Sequence, residues 1–278
     1  MGRDDVVAYL TDVFTAVLGS ADIKYIKWDM NRNISDANSA ALPPNRQGEV
    51  MHRYILGVYK LMENLVSTFP NILFEGCSGG AGRNDPGILY YMPQNWGSDN
   101  TDAVERMYIQ YGAGMVYPSS TICAHVSDVP NHQVGRTTPM KLRSEVAMSA
   151  VMGYEFDLSK LTDDECYDIS EQIKQYKRIR SIVCFGDLYR LINPFGNRSA
   201  SWMYVSEDKT KAVVFYYNKL AKPNSEIRRL KLKGLDEGKT YIVDNKEYTG
   251  RTLMNFGLYL PEYEKDFESR AWEIEEKK

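Results

Sequence analysis

The chain has 278 residues, of which 43% are hydrophobic and 26% are charged, a composition typical of a folded globular protein and not of a disordered one. Its formal net charge is −3, and its lysines and arginines are scattered along the sequence. The sequence therefore offers no basic surface of the kind that binds nucleic acid or an anionic membrane, and a neutral ligand fits better.

Helices and strands alternate through the first part of the sequence. Apolar side chains spaced three and four residues apart predict helices, and short runs of β-branched and aromatic residues predict strands. The predicted helices cover 4–19, 49–68, 102–112, 139–152 and 163–182. The predicted strands cover 22–28, 71–75, 89–96, 121–127 and 154–158. Such alternation predicts an α/β fold, a partial (β/α)8 TIM barrel of about five β/α units that works from the carboxyl ends of its strands.

The pattern changes at Asp187. From there, short apolar runs separated by Gly, Asn and Asp predict the antiparallel strands of a small β-sandwich domain. The last residues are mostly charged and predict a tail that contributes nothing to a core. The predicted organisation is a partial TIM-barrel catalytic domain at 1–186, a C-terminal antiparallel β-domain at 187–265 and a charged tail at 266–278.

The cysteines indicate the redox environment. Cys77, Cys123, Cys166 and Cys184 stand far apart and form no CxxC pair, which predicts neither a disulfide framework nor a zinc site. We therefore expect reduced thiols and a cytoplasmic protein. The first residues lack the basic and apolar regions of a signal peptide, and no apolar run reaches the roughly 18 residues that a membrane-spanning helix needs.

Polar side chains follow the first three predicted strands. They are Lys27, Asp29 and Asn31, then Glu75, Cys77, Ser78 and Arg83, and then Trp96, Ser98, Asp99 and Asp102. In a barrel these strand ends meet at one mouth, where two carboxylates distant in sequence can face each other across a substrate. An ionised carboxylate beside Lys27 could attack an anomeric carbon, and a protonated one in apolar surroundings such as Trp96 could protonate the leaving oxygen. Asp102 is better explained as the start of a helix.

Three segments that carry these clusters, YIKWDMNR at 25–32, CSGGAGR at 77–83 and WGSDNTD at 96–102, closely resemble the α-galactosidases of glycoside hydrolase family 36. The resemblance implies that Asp29 is the nucleophile that forms a covalent galactosyl-enzyme, and that Asp99 is the general acid that later acts as base. Retention at the anomeric carbon would follow, for which the two carboxyl groups should lie about 5 to 5.5 Å apart.

The same resemblance implies a galactose site around these two acids. Its residues would be Lys27, Trp28, Met30, Asn31, Cys77, Ser78, Gly79, Arg83 and Trp96. The implied substrates are α-galactoside oligosaccharides of the raffinose and melibiose type, with no cofactor and no metal. An α-N-acetylgalactosaminidase or galactosyl transferase activity on the same scaffold stays open.

The sequence departs from the family in its length and in a few positions. Family members are usually much longer, and this sequence enters at what resembles the third barrel helix, so the strand at 22–28 would expose an unpaired edge. Ala81 replaces a usual glycine, Asn84 an aromatic residue and Gly97 a threonine. We therefore expect a fragment of a longer enzyme, or a chain that associates as a homo-oligomer or with a missing N-terminal part. A truncated, non-catalytic fragment or partner subunit is the alternative function.

Overall fold

The computed structural model describes residues 1–31, 34–224, 227–260 and 265–278. Arg32, Asn33 and the other residues between these ranges lie outside the described part. The chain divides into two compact units, Met1–Trp96 and Gly97–Lys278. Within the described ranges, no helix combines the length and the apolar character needed to cross a membrane.

The first unit is built from parallel strands and the helices between them. Its helices are α1 (Asp4–Leu18), α2 (Val50–Thr68) and α3 (Pro86–Tyr91), with a short 3-10 helix at Pro44–Glu49. Its strands are β1 (Tyr25–Asp29), β2 (Leu73–Cys77) and β3 (Gln94–Trp96), side by side in that order. All three run parallel, so their carboxyl ends lie at the same edge.

Strand β1 separates a core face from a polar face. Ile26 and Trp28 pack into the apolar core that α1 and α2 contribute to. Lys27 and Asp29 are the exposed residues between and after them, so they lie on the opposite face. Because β2 pairs with β1 in register, Cys77 stands opposite Asp29.

The predicted strand at 89–96 is wrong in its first half, where α3 forms instead. Pro86 stands in the first turn of this helix, and the Asp85 carboxylate caps it by accepting a hydrogen bond from the Ile88 amide at 2.9 Å. The apolar run that follows fits a helix and a strand equally well by periodicity alone. The proline and the capping aspartate decide between them.

The second unit begins with two parallel strands, β4 (Ile122–Ser127) and β5 (Val151–Glu155). Its first helices are α4 (Ala103–Ala113), α5 (Met140–Met148) and α6 (Asp163–Phe185), with short 3-10 helices at Ser119–Thr121 and Leu158–Lys160. The helix predicted at 139–152 therefore ends earlier, and the strand predicted at 154–158 begins earlier. The five predicted parallel strands are all present, three in the first unit and two in the second.

An antiparallel sheet completes the second unit and begins at Asp187, where the sequence predicts it. Its elements are β6 (Asp187–Ile192), β7 (Ser199–Val205), β8 (Lys211–Asn218), β9 (Arg229–Leu230), β10 (Thr240–Val243), β11 (Lys246–Thr249), α7 (Gly250–Asn255), β12 (Leu258–Tyr259) and β13 (Glu268–Glu276). The main sheet has the order β11-β10-β13-β8-β7-β6, and β9 pairs separately with β12. Side chains of one face of the sheet, including Trp202 and Phe215, share a core with α4, α5 and α6.

The predicted charged tail at 266–278 is wrong, because most of it forms β13 in the interior of this sheet. Strand β13 pairs with β8 along its length and with β10 on its other side. Trp272 and Ile274 are buried, at 3% and 1% exposure, whereas Glu275 is exposed. Charged residues alternate with apolar ones here, as they do in a strand with one buried face. The many charged residues of this segment led to the prediction of a tail, although their alternation with apolar residues is typical of a strand.

We expect Trp272→Ala to lower the free energy of unfolding by about 3–5 kcal/mol, because it empties a large volume in the core of the sheet. Chemical denaturation of the purified variants measures this loss. The control is Glu275→Ala, which removes only an exposed ion pair to Lys211 at 3.0 Å and should cost about 1 kcal/mol or less. Equal losses in the two variants would contradict the core position of β13.

Candidate active site

Asp29, the predicted nucleophile, lies exposed at the carboxyl end of β1 and is held by its neighbour Asn31. The Asn31 side-chain amide donates to Asp29 Oδ2 at 2.7 Å, and its Oδ1 accepts from the Gly79 amide at 2.6 Å. Asn31 therefore joins the carboxylate to the glycine-rich loop that follows β2. This arrangement fixes the orientation of the carboxylate.

The glycine-rich loop folds tightly because two glycines permit it. Gly79 has a φ of +53°, a backbone conformation that other residues rarely adopt. A Cβ at Gly82 would come within 2.6 Å of the Ser78 carbonyl oxygen, and the Gly82 amide donates to that oxygen at 3.1 Å. The loop can thus turn back toward β1 and present the Gly79 amide to Asn31.

The backbone just after Asp29 is also bound to this loop. The Met30 carbonyl accepts from Ser78 Oγ at 2.6 Å and from the Arg83 guanidinium at 2.8 Å. The Met30 amide donates to the Cys77 carbonyl at 2.9 Å. Ser78 and Arg83, both predicted as sugar ligands, therefore bind the strand end that carries Asp29.

Two residues predicted to line the sugar site, Trp28 and Met30, are partly buried and pack against the core of the first unit. The Trp28 ring packs 5.1 Å from Phe14 and 6.5 Å from Phe74, measured between centroids. What Met30 contributes at the strand end is its carbonyl group. Successive side chains of a strand point to opposite faces, and Trp28 and Met30 are the residues just before and just after Asp29. Their side chains therefore lie on the opposite face from the Asp29 carboxylate.

Lys27 lies on the same face as Asp29 and contacts a buried acid. Its ammonium lies 3.9 Å from Glu75 Oε1 and 4.9 Å from the centre of the Trp96 ring. Tyr25 donates a hydrogen bond to the other oxygen of Glu75, and Gln94 donates to the Tyr25 hydroxyl at 3.0 Å. The sequence predicts that Lys27 favours an ionised Asp29, whereas its contacts here are with Glu75 and Trp96.

Tyr25 and Gln94 are residues that the sequence reasoning missed. Glu75 pairs with Lys27 on one side and with Gln94 on the other, so the three stand in one row across the strands. The alignment of Lys27, Glu75 and Gln94 across the three strands could be recognised only from the strand register. The row holds the Lys27 ammonium at the polar face, where its side chain is 32% exposed.

Cys77 has an unusual environment opposite Asp29. Burial, together with the hydrogen bond to the Asp29 carboxylate, raises the pKa of its thiol to about 11. The thiol therefore stays protonated at neutral pH. A protonated thiol can donate a hydrogen bond to the Asp29 carboxylate.

We expect Cys77 to resist alkylation by iodoacetamide at pH 8, because the thiolate is the reactive form and appears only near pH 11. The exposed Cys166 serves as the internal reference. Asp29→Asn removes the negative charge, lowers the pKa of Cys77 and should speed its alkylation at pH 9, while the burial of the thiol is retained. Mass spectrometry of each cysteine peptide measures these rates. Equal rates of Cys77 alkylation in the unchanged protein and in Asp29→Asn would contradict the hydrogen bond between Cys77 and Asp29.

Asp99, the predicted general acid, lies exposed in the second unit between Ser98 and Asn100. Asp102 closes this loop and caps α4, accepting from the amides of Val104 and Glu105 at 3.1 and 3.0 Å. The prediction that Asp102 begins a helix is confirmed. Its carboxylate also pairs with Arg136. Among the described residues, no cluster of three or more His, Cys, Asp or Glu could hold a metal ion.

Two known protein families have sequence profiles that match this chain. Residues 1–186 match the profile described as Melibiase, and residues 199–274 match the one described as Glycosyl hydrolase family 36 C-terminal domain. The two matches together cover most of the chain. They also agree with the change from parallel to antiparallel strands at Asp187.

Individual relatives are similar over nearly the whole chain. Alpha-galactosidase AgaA of Geobacillus stearothermophilus is 50% identical over 98% of this chain, and Alpha-galactosidase 1 of Pediococcus pentosaceus is 46% identical over 98%. The chain spans 37% of the length of each of these relatives. The crystal structure of AgaA superposes on 99% of this chain with a TM-score of 0.97, which confirms the predicted partial barrel with its antiparallel domain.

Variants of AgaA have also been crystallised with sugars, with raffinose in one case and stachyose in another, and both structures match this chain with a TM-score of 0.96. In the raffinose complex one aspartate is replaced by asparagine, and in the stachyose complex another is replaced by alanine. These two aspartates are separated by the same number of residues as Asp29 and Asp99 are here. With its Melibiase and C-terminal-domain matches, the chain belongs to glycoside hydrolase family 36.

Proposed function

We propose that this chain carries both catalytic carboxylates of a retaining α-galactosidase, which releases terminal α-linked galactose from oligosaccharides of the raffinose and melibiose type. One observation carries the proposal. Asp29 and Asp99 repeat the separation of the two aspartates that are replaced in the raffinose and stachyose complexes of AgaA. Asp29 is the last residue of β1, and Asp99 follows the end of β3 by three residues, and barrel enzymes present reactive groups at such strand ends.

The proposed reaction has two displacements. In the first, an Asp29 oxygen forms a bond to the anomeric carbon of galactose while the glycosidic bond breaks, and Asp99 gives its proton to the leaving oxygen. In the second, Asp99 takes a proton from water, the water oxygen attacks the same carbon, and Asp29 is released. Two inversions restore the original α configuration.

The surroundings of Asp29 suit this role. A nucleophilic carboxylate must be ionised and correctly oriented before the sugar arrives. The Asn31 amide donates to Oδ2 and the Cys77 thiol donates to the same carboxylate. The two groups hold the carboxylate without neutralising its charge.

Lys27 and Trp96 supply features that fit a sugar. An ammonium group has three donors, and the contact with Glu75 leaves donors for hydroxyl groups of galactose. The ring of Trp96 lies beneath the ammonium and limits where it can point. We propose that the pair orients galactose at the end of β1.

The substrate and the stereochemistry can be tested together. Proton NMR follows the chain with raffinose and, as an α-glucoside control, with maltotriose. We expect galactose to appear first as the α anomer from raffinose, and maltotriose to remain intact. The same assay is run on a chimera in which the chain replaces the matching part of AgaA.

Each contrary result has its own meaning. Initial release of β-galactose would contradict the retaining mechanism. Absence of galactose from both the chain and a folded chimera would contradict the hydrolase. Galactosylated raffinose in place of free galactose would contradict hydrolysis and indicate a transferase.

A further inference from the structure

The loop that carries Asp99, Gly97–Asp102, is here called the acid loop, and the buried Arg106 of α4 donates to its Ser98 carbonyl at 3.2 Å. A Cβ at Gly97 would meet nothing within 4 Å, so a side chain at the start of the loop would not clash with the rest of the structure. Inside the loop, the Asn100 amide donates to Ser98 Oγ and the Asp102 amide donates to Asn100 Oδ1, both at 3.2 Å. The loop is therefore held by hydrogen bonds on both sides of Asp99, and contacts from a second loop add to them.

A second loop, Val129–Arg136, is here called the clamp loop, and it is closed on itself around Asn131. Asn131 is 4% exposed. Its Oδ1 accepts from the amides of Gln133 and Val134 at 3.0 and 3.1 Å. Its backbone amide donates to the Arg136 carbonyl, and its carbonyl accepts from the Gly135 amide, both at 2.8 Å. Hydrogen bonds within the clamp loop therefore hold it in one conformation.

The base of the clamp loop is fixed as well. Arg143 of α5 donates to the Ser127 carbonyl at 2.6 Å and to the Thr138 carbonyl at 3.3 Å. These two carbonyl groups lie just before and just after the clamp loop in the sequence. The clamp loop is therefore joined to the end of β4 and to a buried helix.

Two side chains connect the clamp loop to the acid loop. Asn131 donates its remaining side-chain amide to Thr101 Oγ1 at 3.0 Å. Arg136 pairs with the Asp102 carboxylate, whose side chain is 1% exposed. Both contacts fall within three residues of Asp99, at the end of the acid loop that continues into α4. The clamp loop thus binds the segment that carries Asp99, the proposed acid.

We propose that the clamp loop is a positioning element for Asp99, acting through the Asn131–Thr101 and Arg136–Asp102 contacts. This proposal rests on the proposed function, because it assigns a task to residues around the acid of that reaction. None of the four residues exchanges a proton with the sugar. They hold the Asp99 carboxyl at the position where the leaving oxygen needs its proton, and a small displacement there is costly for proton transfer.

The proposal predicts an effect that depends on the leaving group. Sucrose leaving from raffinose needs a proton, whereas 4-nitrophenolate leaves readily without one. Loosening the acid loop should therefore slow bond cleavage in raffinose much more than in 4-nitrophenyl α-galactoside. A general loss of structure would slow both substrates alike.

The test compares Thr101→Val with Thr121→Val. The first removes the oxygen that accepts from Asn131 and keeps the shape of the side chain. The second removes a hydroxyl that donates a local hydrogen bond to the Pro118 carbonyl at 2.9 Å in the same unit. We expect Thr101→Val to lower kcat/KM for raffinose about five- to tenfold and for the aryl substrate less than about twofold, the size expected for one hydrogen bond. The matched control should leave the ratio of the two values unchanged.

Arg136 provides the second arm. Arg136→Gln should lower the raffinose-to-aryl ratio, and Arg136→Lys should restore part of it because the positive charge beside Asp102 remains. In an Asp99→Ala background, Thr101→Val should no longer change the ratio, since the group that it positions is gone. The assays use the form, chain or chimera, that releases galactose.

The outcomes separate the two proposals. Two results in an active protein would overturn the positioning role and leave the proposed function in place. One is that Thr101→Val lowers kcat/KM equally for raffinose and for the aryl substrate. The other is that it lowers the raffinose-to-aryl ratio of kcat/KM as much in the Asp99→Ala background as in the unchanged protein. A folded chain and chimera that are inactive before any substitution would overturn both.

Discussion

Asp29→Ala is expected to lower kcat for 4-nitrophenyl α-galactoside by about 10⁴-fold or more, since it removes the group that in the proposed reaction forms the covalent bond to galactose. The fold should survive, because Asp29 is exposed, Asn31 keeps its side-chain contact with the Gly79 amide, and Cys77 keeps its place in β2. Initial rates and thermal unfolding measure the two effects. Asp36→Ala, which removes an exposed carboxylate from the same unit, should keep the rate within about twofold.

Sodium azide extends this prediction to the stereochemistry. In Asp29→Ala the small anion can attack the anomeric carbon from the side that Asp29 occupied, in a single displacement. The product should then be β-galactosyl azide, with restored turnover. A variant that keeps its activity without azide, or that forms the α azide, would contradict the role of Asp29 as nucleophile.

Asp99→Ala is expected to lower kcat/KM for raffinose by about 10²- to 10⁴-fold, the usual contribution of a general acid, and to lower it much less for 4-nitrophenyl α-galactoside. With the aryl substrate the galactosyl-enzyme should form and then accumulate, because no base activates water in the second step. A burst of nitrophenolate followed by slow turnover measures this accumulation.

Azide should rescue Asp99→Ala with the opposite stereochemical result. Here Asp29 still makes the first displacement, and azide, which needs no base, makes the second. The product should be α-galactosyl azide. The same azide anomer from both variants, or a loss that is equal for raffinose and the aryl substrate, would contradict the division of roles between Asp29 and Asp99.

The sequence predicted the strand ends well because their signals are local. The apolar run before Asp29 and the alternation along β1 follow from the side-chain period of a strand. Asp102 was predicted as a helix start, and its carboxylate does accept from two amides of the first turn of α4. The family was recognisable from three short segments, since residue types and order at strand ends are visible in the sequence.

Features that depend on the register of strands were not predictable in the same way. Lys27 was expected to act on Asp29, but the pairing of β1 with β2 places Glu75 beside it. The side chains of Trp28 and Met30 are partly buried against the core, although the motif that contains them marks the predicted site. Strand β13 was hidden by its charged residues, because burial of its other face depends on partners distant in sequence.

Covalent trapping tests the central claim most directly. A fluorinated galactosyl fluoride has a good leaving group, and its electron-poor ring slows breakdown of the galactosyl-enzyme, because the transition state resembles an oxocarbenium ion. Peptide mass spectrometry of the labelled protein locates the sugar. We predict one galactosyl group, attached through an ester to Asp29 and absent in Asp29→Ala. Labelling at any other residue, or turnover of the reagent with no covalent species, would contradict the account.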